Sequence, residues 1–317
     1  GAVYGFPTKY ENSRWILINE DMFKEAGLDI PYDGWTYSEF LEDAEKLTHG
    51  EGQDKVYGVC WARKQSGNSI LNALDGVLGA NQIYKNEEGT EVNFDNDVYR
   101  AGFNLVKETL DKGYAIPIED EFSEDISVAN TFLQGKCAIM LGVAQMRLCM
   151  DQENYPHDFM TALVPAPVPD DEKYNTEFYR KQIGTTGAGD LLSISANTKY
   201  PEASFEFAMW YLKGGMSPLV QGGRIPLWNG VNKDEVLSVL KEKAQGSIDM
   251  DSMENYLSLD TTQGVAAIKG HASSEISSAW FEEFDAMCYG KQSVDQTVQN
   301  MEKRGNELIQ TELSSQK

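Results

Sequence analysis

The chain has 317 residues, 41% hydrophobic and 24% charged, a globular composition long enough for one large core or two modest ones. Its 50 acidic against 27 basic residues give a net charge of −23, and a surface of that sign repels phosphate backbones and anionic membrane, so nucleic acid is not an expected partner and a neutral or cationic solute suits it better, the other reading being that the acidity simply keeps the protein in solution. No run of 18 apolar residues exists that could span a bilayer, and the first residues show neither the basic nor the apolar segment of a signal peptide.

Helix and strand signals alternate along the chain, the pattern of an α/β sheet. Asn19 is placed to cap a short helix ending at Gly27. Thr36 and Glu39 form a capping box ahead of Phe40, Ala44 and Leu47, which predicts a helix over about 37–48. Val56 to Cys60 is an apolar run of strand length. Val98, Ala101, Leu105, Val106 and Leu110 recur at helical spacing after Asp95-Asn96, with Gly113 as the stop. Further strand-length runs cover 137–141, 159–164 and 191–195, and the sheet is expected to be mixed. Pro165, Pro167 and Pro169, running into Asp170-Asp171-Glu172, predict a surface loop because proline cannot donate to a ladder. Pro201 opens a helix with Phe205, Ala208, Met209 and Leu212 as its buried stripe and Gly214-Gly215 as its end.

Signs of catalysis are weak. His49, His157 and His271 form no H-E-x-x-H pattern, there is no Ser or Cys elbow, and among 50 carboxylates closeness in sequence selects no acid–nucleophile pair. Gly184-Thr185-Thr186-Gly187-Ala188-Gly189 looks like a phosphate loop. Asp190 and the strand-like Leu191-Leu192-Ser193-Ile194 nevertheless follow where Lys-Ser/Thr and a helix are required, so no nucleotide or other cofactor is expected. Asp249, Asp251 and Glu254 alternate like part of a calcium loop but lack its central Gly and closing Glu, and no metal is expected. Cysteines 60, 137, 149 and 288 are too few and irregular for a disulfide framework or a C-x-x-C site. Cys60 and Cys137, in apolar runs, are read as buried free thiols, with a disulfide as the alternative.

Phe132-Leu133-Gln134-Gly135-Lys136-Cys137-Ala138-Ile139-Met140-Leu141-Gly142 sets a helix end, a glycine turn and a buried strand in direct succession. It resembles the "F-x-x-G-K-A-A-M" segment of the maltose-binding-protein-like extracellular solute-binding proteins that feed ABC importers. Further matches keep the family's order: Tyr4-Gly5-Phe6-Pro7 resembles its "Y-G-x-P" crossover, and 15–28 its "L-x-Y-N-K-D-L-F-x-x-A-G-L". Gly34-Trp35-Thr36-Tyr37-Ser38-Glu39-Phe40 is similar to "x-T-W-x-E-F", 194–203 to "I-S-A-x-S-K-x-P-E-A", and 290–297 to "G-x-x-S-x-E-E-A".

The resemblance implies an α/β fold of the periplasmic-binding-protein type II kind, a two-lobed Venus flytrap, with mostly the second lobe and part of the first present. Residues 1–195, after a crossover near 3–10, would form the second lobe together with the C-terminal helices of 246–317; residues 196–245 would be a remnant of the first. Since the family pattern's opening portion has no counterpart, the sequence is read as an engineered or processed fragment. The implied function is non-catalytic binding of an extracellular solute, a carbohydrate such as an oligosaccharide, for the membrane permease subunits of an ABC importer. The full-length protein would be a monomer, periplasmic or a cell-surface lipoprotein. A carbohydrate-active hydrolase and a sensory receptor domain are the alternatives.

Sugars offer C–H faces that stack on indole and hydroxyls that need planar polar partners. Residues 61–68 carry that mixture after a strand, where the family has a ligand-contacting loop, so Trp61, Arg63, Ser66 and Asn68 are candidates, with core packing the other reading of Trp61. Gln145 and Arg147 follow the strand that in the family ends at the cleft. Many members carry a Trp near there, and its absence implies a more hydrogen-bonding site, ordinary surface being the alternative. Thr186 and Gly187 lie in a glycine-rich segment whose amides approach the solute in the family, or in a plain turn. Residues 222–228 resemble the "G-x-I-P" loop, which would bring Arg224 and Trp228 to the cleft unless they are simply exposed.

Overall fold

The computed structural model describes residues 4–10, 14–63, 83–123, 127–181, 190–215, 217–228, 230–244, 246–258 and 270–315. Its strands in chain order are β1 (Phe6–Pro7), β2 (Lys9–Tyr10), β3 (Trp15–Asn19), β4 (Tyr57–Cys60), β5 (Cys137–Leu141), β6 (Thr161–Pro165), β7 (Leu191–Leu192) and β8 (Ile225–Pro226). The main sheet has the order β4-β5-β3-β6. β4 and β5 run parallel, while β3 is antiparallel to both β5 and β6, so the sheet is mixed as expected.

Every residue of β3, β5 and β6 is buried, because both faces of the sheet are covered. On one face Ile16, Ile18, Val59, Ile139 and Val164 join a core with the helices Tyr37–Leu47, Asp97–Asp111, Ser273–Cys288 and Val294–Ser315. On the other, Trp15, Leu17, Met140 and Leu163 meet Val236, Leu240 and Ala244 of the helix Lys233–Ala244 and Met253 and Tyr256 of the helix Met250–Ser258. The result is a three-layer α/β/α arrangement. β3, the inner strand at its centre, was not among the predicted strands: a run apolar on both sides has no alternation to distinguish it from buried helix.

Local signals explain the helices. Asn19 accepts the Met22 N–H at 3.0 Å ahead of the helix Glu20–Glu25. The Thr36–Glu39 box closes reciprocally, the Glu39 N–H donating to Thr36 Oγ1 at 3.3 Å and the Thr36 N–H to Glu39 Oε2 at 2.7 Å. Asn96 caps Asp97–Asp111, and Gly113 ends that segment at φ 70°.

Four expectations are corrected. The proline-rich segment is buried through Pro169 rather than looped on the surface. β6 is an edge strand, and its inward amides fall on even numbers: Ala166 N–H donates to the Arg14 carbonyl at 2.7 Å and Val168 N–H to that of Trp35 at 3.0 Å. The prolines occupy the odd positions, where no ladder donor is needed. Cys60 and Cys137, both fully buried, form a disulfide instead of free thiols. The strand expected over 191–195 shrinks to β7, a two-residue partner for β1. Of the expected stripe on the helix Pro201–Trp210, only Ala208 is fully buried, and Phe205, Phe207 and Trp210 are exposed.

Within the span expected as a first-lobe remnant, Val220, Ile225, Val236, Leu240 and Ala244 pack into the same core as Trp15. The Pro201–Trp210 helix does not contribute to that core.

Candidate functional site

β5 ends at Leu141, and Gly142, at φ 104°, turns the chain in a conformation open to glycine. The 3-10 turn Val143–Gln145 and the short helix Met146–Cys149 follow. Met146 and Cys149, three apart, face the core, which leaves Arg147 facing outward.

A second turn comes against this one. Segment Ser217–Gly222 ends at Gly223, whose φ is 75° and whose backbone lies against Arg147 and Met150: an added Cβ would stand 2.9 Å from Met150 Cε. Next comes Arg224 and then β8, which pairs with β2 so that Lys9 lies opposite Pro226. Tyr256, its ring 5.3 Å from that of Trp15, closes the inner side. Lys9, Val143, Ala144, Met146, Arg147, Gly223, Arg224 and Tyr256 thus line a cavity of about 80 Å³.

Asp190 braces its rim. The β1–β7 pairing carries Asp190 beside β2, where its carbonyl accepts from the Thr8 hydroxyl at 2.7 Å and the Thr8 N–H at 3.3 Å. Its carboxylate lies 3.6 Å from Lys9 Nζ and is ion-paired with the Arg224 guanidinium. Arg147 makes no ion pair or hydrogen bond among the described residues. Among the described residues, the lining therefore presents three cations and no acid.

Arg147 and Arg224, named from the sequence, meet at this cavity. Gln145 is half-buried on the same turn, outside the lining, and Trp228 is exposed two residues beyond β8. Trp61 is corrected from stacking platform to core: it is 4% exposed, packs 5.7 Å from the Phe40 ring, and donates its indole N–H to Thr109 Oγ1 at 2.8 Å. Arg63 is likewise a structural residue, holding Asp285 with two hydrogen bonds of 2.8 and 3.0 Å while its guanidinium lies 4.0 Å over the Phe281 ring. Ser66, Asn68, Thr186 and Gly187 lie outside the described residues.

Sequence reasoning missed Lys9 and Tyr256, whereas the segment 143–147, which includes Met146, was expected to face the solute. Lys9 stands two residues beyond the Tyr4–Pro7 crossover motif, a signal that could have found it. Tyr256 packs on Trp15 across more than 200 positions of sequence, a contact no local pattern records. Asp249, from the calcium-like stretch, instead accepts the Tyr32 hydroxyl at 2.6 Å and the Asp251 N–H at 2.9 Å.

The model of the bacterial extracellular solute-binding protein family matches residues 1–213. Solved structures share the fold at low identity. An ABC substrate-binding protein from Listeria monocytogenes in complex with cycloalternan has 16% identity and a TM-score of 0.71, over 96% of this chain and 71% of that one. A sugar transporter from Rhizobium etli in an open conformation has 17% identity and a TM-score of 0.67, over 97% and 72%. An ABC transporter solute-binding protein from Agrobacterium vitis with bound D-mannitol has 19% identity and a TM-score of 0.62, over 99% and 74%.

Proposed function

The chain belongs to the bacterial extracellular solute-binding proteins, and on that premise we propose that it captures a carbohydrate for an ABC importer by binding without turnover. The observation that carries this reading is the cavity where the end of β5 meets the β2–β8 ribbon, since segments distant in sequence converge there on a solvent-open recess lined by hydrogen-bond donors. Carbohydrate is the class named for the Listeria, Rhizobium and Agrobacterium structures. Arg147 and Arg224 are assigned as direct contacts, with Gln145 and Trp228 as neighbouring ones. Binding would stabilise a closed arrangement of two lobes that the permease subunits recognise. The exposed aromatic residues of the Pro201–Trp210 helix support assigning 196–215 to the other lobe. A monomer, periplasmic or held at the cell surface by a lipid anchor, completes the reading.

Calorimetric titration with a panel of mono- and oligosaccharides tests it, run beside an assay for released sugar. Saturable heat with no product is expected. Steady hydrolysis would assign the chain to the carbohydrate-active hydrolases, and silence across the panel would remove carbohydrate as the solute class.

A further inference from the structure

We infer that the solute held at this cavity carries an anionic substituent, making it an acidic rather than a neutral sugar; this rests on the carbohydrate reading above and narrows it. Whole-chain charge suggested the opposite preference, because acids outnumber bases 50 to 27. The cavity differs locally, with Lys9, Arg147 and Arg224 and no carboxylate among the described residues of its lining.

Among the described residues, the Asp190 carboxylate is already engaged by both Lys9 and Arg224. Arg147 has no such counter-ion among the described residues, although Gly223 packs against its Cα and Cβ and so fixes its root beside Arg224. The Arg147 guanidinium is therefore the charge at this cavity left to meet an anion. A guanidinium offers a planar fork that matches a carboxylate or sulfate with two parallel hydrogen bonds, an arrangement that a neutral hydroxyl cannot reproduce. A volume of about 80 Å³ admits one such group at the end of a longer site, far below the roughly 300–1,000 Å³ of a complete small-molecule pocket.

Matched ligands decide the point. The full chain is titrated with an oligogalacturonate, its fully methyl-esterified counterpart, a sulfated oligosaccharide and the non-sugar anion citrate, each also against Arg147→Gln and Arg147→Lys. The acidic sugars should bind about tenfold or more tighter than the ester, a difference of about 1.4 kcal/mol. Arg147→Gln should erase that preference, Arg147→Lys should retain part of it, and added sodium chloride should weaken only the acidic ligands. Preference for oligogalacturonate or for the sulfated sugar identifies which anion is read. If ester and acid bind equally, or Arg147→Gln leaves the preference intact, the acidic inference falls while the carbohydrate reading stands. Citrate binding as tightly as the acidic sugars would retain the anion site and overturn the carbohydrate reading. No binding by any ligand would overturn both.

Discussion

A Cβ placed on Gly223 would stand 3.2 Å from the Cβ and 3.3 Å from the Cα of Arg147, so the loop before β8 and the turn after β5 are joined at that point by direct backbone approach. The φ of 75° at Gly223 adds a second reason for glycine, since an L side chain is strained there. Gly223→Ala should therefore cost about 2 kcal/mol or more in urea unfolding and weaken solute binding by shifting Arg147. Gly290→Ala, at φ 69° with open space around it, should cost only about 1 kcal/mol and leave binding unchanged. Equal effects of the two substitutions would show that the two turns are not coupled.

Trp61 and Arg63 separate stability from binding. Trp61→Ala should cost about 3–5 kcal/mol as a core truncation. Arg63→Met leaves the Asp285 carboxylate without its partner in a site where burial already raises its pKa, and should cost about 2 kcal/mol. Both variants should keep wild-type solute affinity once folded. A loss of affinity with an unchanged urea midpoint would return either residue to the binding site.

Asp43 should make stability fall as pH rises. Burial first, then the neighbouring carboxylates Glu42, Glu39 and Asp29, lift its pKa to about 6 against the opposing pull of Lys46. Below the unfolded value of about 3.9 the group is protonated in both states and contributes nothing. Between that value and about 6 the unfolded chain loses its proton first, so the folded state is progressively disfavoured, and the cost is complete above pH 6. Asp43→Asn should thus gain about 1 kcal/mol at pH 7.5, after allowance for solvent screening at a half-buried carboxyl, and nothing near pH 3.5. Urea midpoints of both proteins across that range check it; a constant difference would show that the group does not titrate in this way.

Thiol counting tests the cysteine assignment. Burial pushes the Cys149 thiol up to about 12 and also raises that of Cys288, so neither should react quickly with Ellman's reagent in the native protein at pH 8. Two thiols should appear in denaturant without reductant and four after reduction, since Cys60 and Cys137 are joined. Four without reductant would disprove the disulfide.

Much of the fold was legible from short-range chemistry. Asn19, the Thr36–Glu39 pair, Asn96 and Gly113 delimit helices because caps act over three or four residues, and β4, β5 and β6 announce themselves as short apolar runs. The ordered motifs along the chain pointed to the family for the same reason: each is a local solution to a turn, a cap or a buried strand. The same motifs singled out Arg147, on the turn that follows a recognisable strand, and Arg224, within a recognisable loop, and the two meet at one cavity.

Tertiary structure decided the rest, because burial and charge balance depend on neighbours that local sequence does not specify. Trp61 could have faced a solute or the core, and the rings of Phe40 and the hydroxyl of Thr109 settled it. The prolines of 165–169 could be buried only because β6 lies at a sheet edge, where alternate positions need no donor. Fifty acids determined the sign of the molecule as a whole, yet the pairing of β2 with β8 and the contact of Gly223 with Arg147 gather three cations at one recess. Net charge is a sum over the chain, whereas the field a bound group meets is set by the few charges nearest to it.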